Sequence, residues 1–196
     1  LVGPAAMGEQ VQKFIHRHVS NSPMPKGWRH QLNNEPGLML SWERSWRERY
    51  GVEAMGWSAG ATPYIGATLG NIYTYANTGV MFHLTPHDGR FQDTPVRVRP
   101  AMPGTGAFVV PENTFSWYLF GGVEGRLIGR NIFLDGNTFT DSHSVDKKYL
   151  VGDATAGLAL TYGRTRLSYA LIYRTREFDD QDRGDVFGTV TLGVRF

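Results

Sequence analysis

"AMGWSAGATPYIGATLG", residues 54–70, decides how the rest of the chain is read. Its odd positions are Met55, Trp57, Ala59, Ala61, Pro63, Ile65, Ala67 and Leu69. Its even positions are Gly56, Ser58, Gly60, Thr62, Tyr64, Gly66, Thr68 and Gly70. A period of two sets successive side chains on opposite faces of an extended strand. Holding that period across the whole segment exceeds the roughly 5 to 6 residues of an ordinary strand. Pro63 has no N–H to give, so it costs one ladder bond or marks a bulge.

The pattern recurs downstream. Residues 115–127 set Phe115, Trp117, Leu119, Val123 and Leu127 against Glu124 and Arg126. Residues 149–162 set Leu150, Ala154, Ala156, Leu158, Leu160 and Tyr162 against Asp153, Thr155 and Thr161. Residues 165–176 set Leu167, Tyr169, Leu171 and Tyr173 against Arg166, Arg174 and Arg176. The last stretch sets Val186, Val190, Leu192, Val194 and Phe196 against Thr189, Thr191 and Arg195. A soluble sandwich or ligand-binding barrel alternates too, with its apolar face turned inward. The long strands, the arginines on the polar face and the closing Phe196 favour a membrane barrel with its apolar face turned to lipid. A charge on such a face costs about 2–4 kcal/mol near the midplane, which fits apolar faces nearly free of charge.

Composition agrees with this reading. With 24 Gly, 11 Phe, 9 Tyr and 5 Trp in 196 residues, the chain carries the bias of antiparallel barrels. The formal charge of +2, from 20 basic and 18 acidic residues, gives no field for nucleic acid. Without cysteine there is no disulfide scaffold and no thiolate metal site. No apolar run reaches the roughly 20 residues of a membrane helix, which does not bear on a barrel. The chain begins at Leu1 with no visible signal peptide, so the natural protein is expected to start upstream.

About seven antiparallel strands are expected, near 37–50, 54–70, 71–83, 114–133, 146–162, 165–177 and 185–196, all in one domain spanning 1–196. Single-chain bacterial barrels use even numbers, so an odd count points to an N-terminally incomplete barrel or an edge paired elsewhere. If Phe196 lies on the inner side, counting back puts "DGNTFTDSHSVDKK" (135–148) and "REFDDQDRGD" (176–185) in outer loops. "TYGRTR" then makes a short inner turn, and 84–113 is a long inner connection. The polar side chains Glu43, Arg47, Glu124, Arg126, Arg166 and Arg174 would pair across the lumen and plug it.

Two motifs have ordinary readings. "GWSAG" (56–60) matches the elbow of serine hydrolases, but that elbow needs a helix after its serine and this one sits in a strand. Ser58 is read as a lumen residue. "DGNTFTDSHSVD" (135–146) offers Asp135, Asn137, Asp141 and Asp146, yet Phe139 and Thr140 stand where a calcium loop needs a ligand and a glycine. An Asx-rich turn is expected.

One segment breaks the β pattern. "GEQVQKFIHRHVS" (8–20) reads as a short amphipathic helix of about residues 4–19, entered through Gly3-Pro4. Glu9, Gln12, Lys13 and His16 share its polar face, with Gln12 and His16 one turn apart. The strand count puts this helix at the outer side.

"GPAAMGEQVQKFIHRHVS", "GWRHQLNNEPGL", "LGNIYTYANTG", "FGGVEGR" and the closing "VTLGVRF" together resemble the outer-membrane lipid A 3′-O-deacylase family, from Gly3 to Phe196. The resemblance implies an all-β, twelve-stranded antiparallel barrel in the outer membrane of a Gram-negative bacterium, of which about seven strands are present. It implies a site near the outer leaflet that hydrolyses the 3′-linked acyloxyacyl chain of lipid A in a Ca²⁺-dependent reaction. By the same resemblance His16 falls on the catalytic histidine and Gln12 on the site glutamine. The other family site residues, and with them the metal ligands, belong to a part absent here, so the metal ligands stay unassigned. His16 would take a proton from the attacking water, and Ca²⁺ would stabilise the oxyanion. The substrate carries phosphates, so Arg130, Lys147 and Lys148 are candidates for binding lipid A or lipopolysaccharide. The protein is expected to act as a monomer. The rival reading is a porin-like or structural barrel without activity, which leaves the Gln12–His16 face unexplained; large steady currents in a planar bilayer would favour it.

Overall fold

In the computed structural model the long alternating segments form one antiparallel sheet. The structure describes residues 1–18, 27–46, 50–86 and 115–196. Its strands are β1 (Met39–Ser45), β2 (Tyr50–Ala54), β3 (Trp57–Gly70), β4 (Tyr73–Pro86), β5 (Phe115–Asn131), β6 (Leu150–Tyr162), β7 (Thr165–Arg174) and β8 (Asp185–Val194). They run in the order β1-β3-β4-β5-β6-β7-β8, with β2 also paired to β3. β1 lies beside the second half of β3 (Ser45↔Tyr64) and β2 beside its first half (Tyr50↔Ala61). Eight strands therefore fill the seven places expected. Among the described residues the sheet does not close on itself.

Two boundaries differ from the sequence reading. The stretch 54–70 is not one strand: Met55 and Gly56 both have positive φ, 53° and 79°, and form the two-residue turn between Ala54 and Trp57. The expected helix of residues 4–19 divides into a 3₁₀ turn, Pro4–Ala6, and α1 (Gly8–His18), separated by Met7 at φ 60°. Met7 N–H closes the 3₁₀ turn onto the Pro4 carbonyl, and a left-handed residue cannot continue that turn. Val19 lies outside the described residues, as do Arg47 and most of the 84–113 connection.

The faces fall as the alternation requires. On β3, Tyr64, Gly66 and Thr68 are buried while Ile65, Ala67 and Leu69 are exposed. On β7, Arg166, Ser168, Ala170 and Ile172 are buried while Leu167, Tyr169, Leu171 and Tyr173 are exposed. Val186, Val190, Leu192, Val194 and Phe196 are exposed as well. The buried face is mixed: Tyr64, Met81, Tyr118, Phe120, Ala159, Ala170 and Ile172 make an apolar cluster beside buried Arg126, Asp153 and Arg166.

Polar pairing fills that concave side. Tyr64 donates its hydroxyl to Glu124 Oε2 at 2.8 Å, across a Gly79 that has no room for a Cβ beside the ring. Asn77 Nδ2 reaches the same oxygen at 3.3 Å. Arg174 grips Asp153 with two bonds of 2.9 Å, and Arg126 Nη2 stands 2.8 Å from Asp153 Oδ2. The Arg126 approach is off-axis for a hydrogen bond and is an ion contact. Glu124, Arg126 and Arg174 thus lie on the inner face as the alternation predicts, but their pairs join the neighbouring strands β5, β6 and β7 and do not cross a lumen.

Candidate functional site

The turns sort the loops to two ends. At one end lie the Met55-Gly56 turn, the Gly163-Arg164 turn and Phe196. At the other lie the Asn71-Ile72 turn, residues 132–149, residues 175–184 and the N-terminal segment with α1. This shared end is where the candidate chemistry gathers.

α1 is short, with none of its residues buried. Glu9 and Lys13 pair one turn apart on its polar face. Gln12 and His16 follow at the same helical spacing, Gln12 exposed and His16 partly covered. His18 turns away, its Nδ1 2.9 Å from the Phe14 carbonyl and its ring stacked on Phe14. A polar face bearing an amide and an imidazole one turn apart can hold a water and accept its proton.

α1 is tied down through its base. Val2 and Glu35 exchange two backbone bonds, 2.9 and 3.1 Å, and Ala5 N–H donates to Asn34 Oδ1 at 2.8 Å. Val2 also packs with Ile72 and Ile132. Glu35 itself is buried, and among the described residues every partner of its carboxylate is a donor: Asn71 Nδ2 at 2.8 Å, Asn137 Nδ2 at 3.0 Å and the Thr138 N–H at 2.7 Å. Burial pushes this carboxyl up, but the hydrogen bonds from Thr138, Asn137 and Asn71 together outweigh it and hold the pKa down to about 2. No reading of the sequence singled Glu35 out. Its signal was the turn-rich "NNEPG", where a lone carboxylate sits among amides.

The three candidate phosphate-binding cations share this end and are each engaged. Arg130 follows a bulge at Gly129 in β5, where the register with β4 shifts. Its Nε donates to the Asn71 carbonyl, and its Nη2 donates to the Gly136 carbonyl and Thr138 Oγ1, all at 2.9 Å. Lys147 pairs with Asp135 and lies over the Tyr149 ring, while Lys148 pairs with Asp179. Backbone bonds between Lys148 and Glu177 and between Asp179 and Asp146 zip the two long loops together.

The Asx-rich turn behaves as one. Asp135 serves Lys147 and the Asn131 N–H, and Asn137 serves Asn33 and Glu35. Among the described residues no group of three or more His, Asp or Glu side chains comes together to hold a metal ion. The calcium ligands that the resemblance implies stay unassigned among the described residues. Ser58 lies buried inside β3 with strand on both sides, away from α1.

An antiparallel sheet with lipid-type residues outside, paired charges inside and long loops at one end defines an outer-membrane β-barrel protein. The model of the family described as outer membrane protein LpxR matches residues 1–196, and the chain belongs to that family. The resemblance read from its motifs is thus membership, and the protein is one of the outer membrane. The solved LpxR from Salmonella typhimurium superposes with a TM-score of 0.74 at 24% identity, over 97% of this chain and 62% of that one. The chain thus spans less than two thirds of that structure's length, and the likeness establishes the shared fold. No curated protein matches the chain in sequence.

Proposed function

We propose that this chain belongs to an esterase that removes the 3′-linked acyloxyacyl chain of lipid A at the outer leaflet. The observation that carries the reading is the pairing of Gln12 and His16 one helical turn apart on α1, at the loop end of an LpxR-family sheet. His16 acts as general base, taking a proton from the water that attacks the acyl carbonyl. Gln12 orients that water or the imidazole. The proton then passes to the departing alkoxide as the ester C–O bond breaks, leaving a free acid and a hydroxyl.

The calcium ion implied by the resemblance would need ligands that the described residues do not supply, so the chemistry assigned to this chain rests on its histidine and glutamine. Arg130, Lys147 and Lys148 at the loop end would receive a lipid A phosphate, which would have to compete with the partners each already holds. The paired Arg126, Glu124, Asp153 and Arg174 on the buried face support this reading over an open pore, which gives the Gln12–His16 face no task.

The test is deacylation of lipid A by the natural protein carrying His16→Gln, read by mass spectrometry. General-base catalysis is worth about 10²–10⁴-fold, and a loss of that size in kcat is expected. Near-normal release of the acyl chain refutes the role of His16.

A further inference from the structure

None of the residues of α1 is buried, and residues 2–6 lead directly into it. That strip is bound to residues 33–35 by the Val2–Glu35 bridge, by Ala5 on Asn34, and by a close approach at Gly3. Gly3 has φ +93°, and a Cβ there would stand 2.7 Å from the backbone of Asn33 and Asn34. Residues 33–35 are bound in turn to two other parts of the rim. Asn71, in the β3–β4 turn, gives one N–H to Glu35 Oε1 and Nδ2 also reaches the Pro36 carbonyl. Asn137, in the β5–β6 loop, donates to Glu35 Oε2 and to the Asn33 carbonyl and accepts from the Asn33 N–H. One carboxylate thus joins three segments that are 36 to 103 residues apart in sequence.

We propose that Glu35 is a positioning residue for the catalytic helix: by gathering the donors of Asn71, Asn137 and Thr138 it fixes the base of α1 on the rim and so sets where His16 stands. The catalytic half of this proposal rests on the function proposed above; the mechanical half does not. A carboxylate suits the task because it accepts at both oxygens, and all of its partners here donate. Glutamine at this position would turn an NH₂ toward one of those donors and lose the bond. Arg130 is the counterpart of opposite sign, since it donates to the carbonyls of Asn71 and Gly136 in the same two segments. Neither charge needs to touch substrate to matter.

The chain has no cysteine, so spin labels at Gln10→Cys and Asp182→Cys report the distance from α1 to the β7–β8 loop. In the natural protein in lipid, the parent is expected to give one narrow distance distribution. Glu35→Gln is expected to broaden it and to lower kcat by about 10²-fold with KM little changed, as for a displaced catalytic group. Gly3→Ala keeps the carboxylate and attacks the same seat from the other side, so it should broaden the distribution equally. It also decides the matter if Glu35→Gln fails to assemble. A distribution that stays narrow in both variants overturns the proposal, as does a broadened one with unchanged kcat where His16→Gln is inactive. The distance readout needs no activity: broadening combined with full activity of His16→Gln leaves the latch standing and sinks only the catalytic reading.

Discussion

At the scale of single residues, two carboxylates organise the molecule. Asp153 holds both Arg126 and Arg174 on the inner face, and Arg126 is almost wholly buried. Taking one partner from a buried pair leaves a charge without compensation, which costs about 3–5 kcal/mol. Asp153→Ala should lower the unfolding free energy in lipid vesicles by that amount, measured with urea. Lys148→Ala, which removes an exposed pair, should change it by less than about 1 kcal/mol. Glu35 makes a second, pH-dependent prediction. Its pKa is lowered from 4.5 to about 2, so its contribution is complete above 4.5 and is lost as pH falls through about 2. The Thr138 amide, which donates to it, should hold its NMR position above about pH 5 and move with a midpoint near the carboxyl's own. A midpoint at the ordinary carboxylate value would mean the bonds do not form.

At the scale of elements, the outward faces of the strands carry the testable content. Leu171 lies mid-strand on β7, exposed, between Ala156 and Gly188. Leu171→Arg should destabilise the barrel in lipid by about 2–4 kcal/mol, as a charge near the midplane does. A neutral effect in the same urea titration would place that face outside the membrane. The faces were legible because alternation survives even where a boundary is misread. A two-residue turn reverses the parity, so that Ala54 shares a face with Trp57, but Ala54 alone of the quoted stretch precedes the turn, and Met55-Gly56 passed unnoticed inside an apparently continuous strand. Methionine with φ 53° is not a turn signal of the Asn-Gly kind. Likewise the polar face of α1 could be read from local spacing. The seat beneath it could not, because Glu35 meets Asn137 across 102 residues, and no periodicity reports such a meeting. The loop cations show the same limit: loop position told their end of the barrel but not the Asn71 carbonyl, Asp135 or Asp179 that engage them.

At the scale of the whole molecule, the arrangement separates three environments. Apolar side chains face outward along the sheet, paired charges fill its concave side, and the polar loops and α1 gather at one end. Membership in an outer-membrane family gives each environment its solvent: acyl chains against the apolar face, a polar side turned away from them, and headgroups at the loop end. The proposed chemistry needs that order, because a histidine can reach an ester near the outer leaflet only from the rim. The most direct measurement is a cysteine scan of β8 at Thr189, Val190, Thr191 and Leu192 in the natural protein. Each site carries a fluorophore, read against quenchers fixed on lipid acyl chains. Labels at 190 and 192 should be quenched and those at 189 and 191 spared, a period-two signal. Quenching at 189 and 191 instead, or equal quenching at all four, would contradict a lipid-facing apolar side and with it the placement of the site at the membrane.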